Sequence, residues 1–354
     1  MEFDIGNAKL SNDKIVVIAE AGVNYNNSLD IGEKLILSAK SSGCDIIKFQ
    51  TYKAEKLVVK NSERFWDWEG EEKPTGSQFD SYKLLDSFGI EEYRRLKEIC
   101  DFNQIEFLST PFDEESSDML IDIGINGFKI ASCDITNKNL LKHLAKHKKP
   151  LLLSTGASTI EDIDYALKLI KENGDPPVCI MHCTLSYPTK TEDANLSALL
   201  DINKNFGQYL LGLSDHTLDY LVGPSSTLYG SRVFEKHFTI DKNLKLSADH
   251  WLSLDPSEMK QYIMNCNEFF KSIGSGKKEL LGAERIAHKN ARRSLVVNKN
   301  LKKNHILTCE DLIAKRPGIG ISPKDIDDII GKRISKDLNE DSILLKEHLV
   351  DNKN

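Results

Sequence analysis

GLSDHTLDYLVGPSSTLYGSRVFEKHFTIDKNLKLSADHWLSLD, residues 212–255, decides the fold. Two short β-type runs, 209–214 and 233–238, are each followed or closed by a histidine, His216 and His237, and a helix-length segment, 218–230, separates them. Strand, helix, strand with a polar residue at each strand exit is how a βα barrel builds an active site at one face. Two imidazoles at equivalent exits, with Asp215, Glu235, Lys236, Asp249 and His250 close by, can hold a divalent metal; each histidine alone could equally be an ordinary polar strand-end residue.

Working outward, the same cadence recurs. Apolar runs at 15–20, 45–50, 105–110, 127–132, 151–155 and 178–184 join the two above to make eight strands, with helical patterns in the gaps. The spacing predicts a helix over 28–43 stopped by Gly43. Another begins at Ser158, where Ser158-x-x-Glu161 reads as a capping box, and Gly174 and Pro176 end it. Eight βα units over 1–275 predict an α/β TIM (β/α)8 barrel. Between Gln50 and a helix near Ile90 lie about 40 residues rich in charge and aromatic rings, too long for a simple connection and expected as a lid over the catalytic face. Residues 276–293 read as a charged linker, and 294–354 as a small second domain, β-rich with tight turns, that needs another surface to lean on.

Composition narrows the function. The chain has 354 residues, is 40% hydrophobic and carries a net charge of −7, which argues against a nucleic-acid partner. No run approaches the roughly 18 apolar residues of a membrane span, and the N-terminus lacks a signal-peptide layout. Seven cysteines without a paired framework suit a reducing, cytoplasmic setting. Cys179-x-x-His182-Cys183 resembles a metal motif but falls within a predicted strand, whose residues alternate in direction, and reads as core packing.

All barrel strands exit at one face, so their terminal residues can be considered together. Lys48 and Lys129 with Gln50, Thr110, Ser132, Ser154, Thr155 and Ser214 make an anion site for phosphate and carboxylate, and Glu20, Asp134 and Asp249 could bind hydroxyls or move protons. A metal beside an anion site suits polarisation of a carbonyl. Three chemistries stay open at this point: a Schiff-base aldolase on Lys48, Lys129 or Lys236, a metal-dependent hydrolase, and a metal-assisted carbon–carbon condensation.

Nine motifs in order carry a resemblance: IAEAGVNYN (18–26), DIIKFQTY (45–52), FLSTPFD (107–113), FKIASCDITN (128–137), LSTGAS (153–158), MHCTLSYPT (181–189), GLSDHT (212–217), FEKHFT (234–239) and KRPGIG (315–320). The chain resembles the N-acetylneuraminate (sialic acid) synthase family, which includes legionaminate and pseudaminate synthases. The resemblance implies a TIM barrel followed by an antifreeze-like (SAF) domain. It implies condensation of phosphoenolpyruvate with an N-acetylated hexose to a nine-carbon 2-keto acid and phosphate. N-acetylmannosamine is the first candidate sugar, and a diacetamido-trideoxyhexose the alternative. It further implies a divalent ion, manganese before magnesium or cobalt, on His216 and His237. Lys48, Gln50, Thr110, Lys129, Ser132, Ser154 and Ser214 would hold phosphoenolpyruvate; Glu20, Tyr187 and Asp249 would address the sugar; Glu235 would support proton transfer. In a homodimer Arg316 would reach the partner's site from the SAF domain. The chain departs from the family at Asn24-Tyr25-Asn26-Asn27, where Asn-His-Asn-Gly is common, and at Asp134, where glutamate is common. These positions, with Ser186 and 53–89, are expected to bear on sugar choice.

Overall fold

The computed structural model describes residues 2–64 and 76–350. The chain divides into two compact units, Met1–Gly274 and Ser275–Asn354. The first opens with an antiparallel hairpin, β1 (Glu2–Ile5) and β2 (Ala8–Ser11). Eight strands follow: β3 (Val16–Gly22), β4 (Ile46–Thr51), β5 (Glu106–Pro111), β6 (Phe128–Ile130), β7 (Leu151–Ser154), β8 (Val178–Cys183), β9 (Leu210–Asp215) and β10 (Val233–His237). They run parallel in chain order, and β10 pairs back onto β3, Val233 opposite Val16 and His237 opposite Glu20. Only β5 and β6 pack side by side without a hydrogen-bonded ladder, leaving a nearly closed TIM-type barrel.

Strand periodicity sorts the residues. Alternate positions Val17, Ala19, Ile47, Phe49, Phe107, Leu151, Leu153, Ile180, Leu213 and Phe234 belong to the large core shared with the surrounding helices. The intervening positions turn inward, since successive residues of a strand face opposite ways. At the amino ends of the strands these are Val16, Ile18, Ile46, Leu108, Leu152, Cys179, Met181, Leu210 and Val233, which form a separate apolar cluster with Ile5, Ala8 and Leu10 of the hairpin. Toward the carboxyl ends the same inward rows become Glu20, Lys48, Thr110, Ser154, Ser214 and Glu235. Thus the barrel is greasy at one end and ionic at the other.

The N-terminal hairpin, absent from the sequence expectations, closes the greasy end. Its turn accepts only glycine at position 6, where φ is +52° and an added Cβ would lie 2.0 Å from Glu106 Oε2. That carboxylate accepts the backbone N–H of Asn7 at 3.0 Å and the amide of Asn126 at 2.9 Å.

The predicted helices occur with local differences. Ser28 caps Leu29–Ser42, and Gly43, at φ +97°, ends it. The capping box of Ile160–Glu172 is formed by Thr159 and Asp162, one residue later than the Ser158–Glu161 reading, and Ser158 instead donates to Gly156 O. Between β9 and β10 the expected single helix is a short turn, Val222–Ser225, followed by a 3₁₀ segment, Ser226–Tyr229. Pro224 interrupts the pattern there, because proline lacks the N–H a continuing helix needs.

The second unit begins with exposed residues and a short helix, Arg285–Ala291, where a linker is expected from sequence. Its core gathers Leu295, Val297, Leu301, Leu307, Ile334, Leu338 and Leu344 around the antiparallel pair β11 (Ser294–Val297) and β12 (Leu312–Lys315), with several 3₁₀ turns. Among the described residues no helix is long and apolar enough to cross a membrane.

Leu10 is fully buried in the apolar plug. Leu10→Ala should therefore cost about 2–5 kcal/mol of unfolding free energy, read by urea denaturation; a loss under about 1 kcal/mol would show that the hairpin does not seal the barrel.

Candidate active site

The inward rows converge on a cavity of about 640 Å³ at the carboxyl ends of the barrel strands. Its lining includes Glu20, Lys48, Gln50, Thr110, Lys129, Ser132, Asp134, Ser154, Tyr187, Ser214, His216, Glu235, His237 and Asp249. Arg316, the remaining candidate, is exposed on the second unit.

At the cavity's centre lie two lysines and two glutamates, all buried. Lys48 Nζ is 2.7 Å from Glu20 Oε2 and 3.6 Å from Glu235 Oε1, and donates to Thr110 Oγ1 at 3.1 Å. Lys129 Nζ donates to Glu235 Oε1 at 3.2 Å, and Ser214 Oγ to the same oxygen at 3.0 Å. Gln50 donates to Glu20 Oε1 at 3.0 Å. Burial opposes ionisation of Glu235, but Lys129 and Lys48 outweigh it and bring its pKa down to about 2. Burial likewise works against the Lys48 ammonium, and Glu20 and Glu235 reverse that, raising its pKa. Asp249 has no such partner: burial, reinforced by Glu20, lifts it to about 7.

Beside this cluster stand the two imidazoles, with ring centroids 5.5 Å apart. Tyr187 lies over His216 at 4.1 Å and meets His237 edge-on at 5.8 Å. His216 Nδ1 is 3.0 Å from the carbonyl of Thr184, so a proton on Nδ1 leaves Nε2 as the lone-pair donor. His237 Nδ1 is buried with no hydrogen-bond partner and sits 3.6 Å from Asp249 Oδ2. Burial, with the neighbouring His216 and Lys48, holds its pKa well below the ordinary histidine value. Burial opposes protonation of His216, but Cys183, the Thr184 carbonyl and Glu235 outweigh it and raise its pKa. Two imidazoles beside a carboxylate still form a donor set for a divalent cation, which would bind in competition with that proton. Charge points the same way. Among the described residues the only cationic side chains lining the cavity are Lys48 and Lys129, already balanced by Glu20 and Glu235, so an anionic substrate would gain from a further positive charge.

Several sequence readings need correction. Lys236 faces away from the cavity: its ammonium contacts Asp215 at 2.9 Å and the Thr217 carbonyl on the outer side of β10. It is therefore no Schiff-base candidate. His250 is held by Thr239 at 2.8 Å and Asn26 at 3.2 Å and is absent from the lining. Thr155 donates to the Met181 carbonyl. Cys183 is more than core packing: it lines the cavity, with Sγ 3.8 Å from His216 Nδ1, while His182 points the other way to the Ala194 carbonyl. Its place two residues beyond inward-facing Met181 was the available signal.

Tyr25 is buried against Phe88, with ring centroids 4.4 Å apart, and neither it, Asn27 nor Ser186 lines the cavity. Asn26 and Asn27 have φ of +50° and +56°, conformations asparagine adopts more readily than most other non-glycine residues. From the long 53–89 segment, Leu57, Val58, Gln78, Ser81, Tyr82, Leu84 and Leu85 border the cavity; the part of the expected lid at 65–75 lies outside the described residues.

A parallel barrel with a buried ionic cluster at the strands' carboxyl ends defines an enzyme of the TIM-barrel kind. Residues 35–278 match the model of the NeuB family, and residues 292–350 that of the SAF domain. The chain is 38% identical to the N,N'-diacetyllegionaminic acid synthase of Legionella pneumophila over 94% of each chain. It is 31% identical to a pseudaminic acid synthase of Campylobacter jejuni, over 94% of this chain and 96% of that one. The crystal structure of an N-acetylneuraminic acid synthetase from Leptospira borgpetersenii in complex with citrate superposes with a TM-score of 0.71 and 32% identity, covering 81% of this chain and 95% of that one. The chain belongs to the NeuB family, the sialic acid synthases, and carries their SAF domain.

Glu235→Gln leaves two buried ammoniums sharing one carboxylate and should cost about 3–5 kcal/mol of stability. Adding Lys129→Met should recover part of that loss. A double-mutant cycle by urea unfolding reads the coupling, and a value near zero would show the two side chains to be independent.

Proposed function

We propose that the protein condenses phosphoenolpyruvate with the open-chain aldehyde of a 2,4-diacetamido-trideoxyhexose, giving a nine-carbon 2-keto acid of the N,N'-diacetyllegionaminate kind and phosphate. Support for the reaction class is the pairing of an ammonium-rich anion pocket with a two-imidazole site. Lys48, Lys129, Thr110, Ser132, Ser154 and Ser214 receive the phosphate and carboxylate. The enol carbon C3 attacks the aldehyde carbon, the new alkoxide takes a proton, water adds at C2, and the C2–O bond to phosphate breaks. A divalent cation held by His216 and His237 would supply Lewis acidity for a carbonyl oxygen. Glu235 holds the two lysines against each other and against the forming charge. Glu20, fixed by Gln50 and Lys48, and Asp249, with its raised pKa, are placed to exchange protons with the sugar's hydroxyls and the entering water. Lysines committed to buried carboxylates as ammoniums speak against the Schiff-base aldolase.

One observation carries the choice of sugar: the cavity's outer wall. Leu57, Val58, Leu84, Leu85, Phe112, Leu185 and Leu246 make it largely apolar, with Gln78, Ser81 and Asp134 among them. Such a wall accepts a 6-methyl group and two acetamido methyls. The 4- and 6-hydroxyls of N-acetylmannosamine would find few replacements there for lost water beyond Gln78, Ser81 and Asp134, and each hydroxyl left unpaired costs about 1–3 kcal/mol. This reverses the order expected from sequence. Phosphate release should show kcat/KM for the diacetamido sugar higher than for N-acetylmannosamine by roughly 10². A preference of that size for N-acetylmannosamine would restore the earlier order, and no release with any acylamino hexose would discard the condensation.

We further propose a homodimer in which Arg316 completes the partner's site. Its exposure, and the lack of any arginine among the described residues that line the cavity, support this. Mixing an Arg316→Ala chain with a Lys129→Ala chain should restore up to about a quarter of native activity per mixed population, by random pairing. No recovery above the parent proteins would place Arg316 outside the shared site.

A further inference from the structure

The helix Glu114–Asp122 follows β5, and Lys138–Lys146 follows β6; the two pack together in the barrel's outer layer. Residues four apart lie on one helix face, so His143 and His147, the latter capping its helix in right-handed helical geometry, present their rings together. Asp118 meets them from the neighbouring helix. His143 Nε2 lies 2.7 Å from Asp118 Oδ1, and His147 Nε2 lies 3.6 Å from the same oxygen. The rings stand edge to face with centroids 5.2 Å apart. One ligand atom from each of the three side chains falls within 4.8 Å of the other two, the only such His/Cys/Asp/Glu group among the described residues.

An ion pair between Asp118 and His143 explains two of these side chains and leaves the third. His147 Nε2 is shielded from solvent and has no hydrogen-bond partner, although the ring as a whole is a quarter exposed. A buried, unsatisfied ring nitrogen is uncommon in native proteins and calls for a partner. Its position, aimed toward a carboxylate and a second imidazole, is where a cation would satisfy all three at once. Ligands around an ion at 2.0–2.2 Å are separated by roughly 3–3.5 Å, which these partly exposed side chains reach by small χ adjustments.

We propose that Asp118, His143 and His147 form a second metal site for a divalent transition ion of the zinc class, separate from the catalytic cavity. Two imidazoles and one carboxylate are the donor set that zinc, cobalt and nickel prefer, and magnesium or calcium do not. Three protein ligands leave one position for water. None of the three residues lines the cavity, so the ion ties two barrel helices together rather than taking part in the reaction. It stabilises the folded chain by binding it in preference to the unfolded one.

The test uses the full chain stripped with a chelator, titrated with Zn2+ and read by bound equivalents and by Tm. In a His216→Ala/His237→Ala background, where the cavity's imidazoles are gone, one equivalent should still bind. Tm should rise by about 3–6 °C at a hundredfold excess over Kd. Adding His147→Gln should remove that equivalent and the shift, and Asp118→Asn should weaken binding at least about tenfold. In the otherwise native chain, His147→Gln should leave phosphate release unchanged and lower the count by one. The proposal is overturned if the background variant binds no zinc, or if it binds zinc that His147→Gln leaves in place. A stripped His147→Gln chain with native Tm shows that any loss of binding is not a folding defect.

Discussion

Two ammoniums and two carboxylates inside a barrel can coexist only as a set. Removing Lys48, Lys129, Glu20 and Glu235 from water costs several kcal/mol per charge, and the cost is offset only where each ion faces its opposite at hydrogen-bond distance. Glu235 Oε1 does most of this, accepting from Lys129 and Ser214 while standing 3.6 Å from Lys48. The balance also defines the site's task. A neutral cluster has no surplus attraction for an anion, but its lysines are held in place and charged. A cation held by His216 and His237 would convert the balanced set into one with surplus attraction for an anion.

The rest of the barrel is arranged to allow that cluster to be buried. Along each strand, one row of side chains packs against helices and the other looks inward, and the inward row changes from apolar to ionic as the strand is followed. Val16, Ile18 and Glu20 show the change in β3, and Ile46, Lys48 and Gln50 in β4. The hairpin with Ile5 and Leu10 completes the apolar end.

Period-two alternation made the eight strands and the facing polar residues legible from sequence, because it depends on neighbours along the chain. What escaped detection depends on residues far apart. The hairpin's role rests on Gly6 meeting Glu106, a contact across 100 positions. Lys236 carries the same charge as Lys48, yet it sits one residue out of phase with Glu235 and so pairs with Asp215 behind the strand. Cys183 was assigned to the core because a strand separates it in direction from His182. That separation is real, and it is what turns the thiol toward His216. That Thr159 rather than Ser158 caps its helix was not legible, because both positions offer a hydroxyl followed by a carboxylate three residues on, and local chemistry alone does not choose between them.

Strand ends and the long segment after β4 divide the labour of the site. Groups on the strands are held by the barrel's backbone ladders and by one another, so replacing any one disturbs the charge balance of all. Leu57, Val58, Leu84 and Leu85 belong to short helices and turns, Ala54–Leu57 and Gln78–Lys83 among them, and contribute bulk rather than charge. A change there alters the shape offered to the sugar without breaking an ion pair. Along the described outer wall a substitution therefore changes bulk, whereas at the centre it changes the charge balance of the whole cluster, so the wall's shape can vary while the ionic set stays in place.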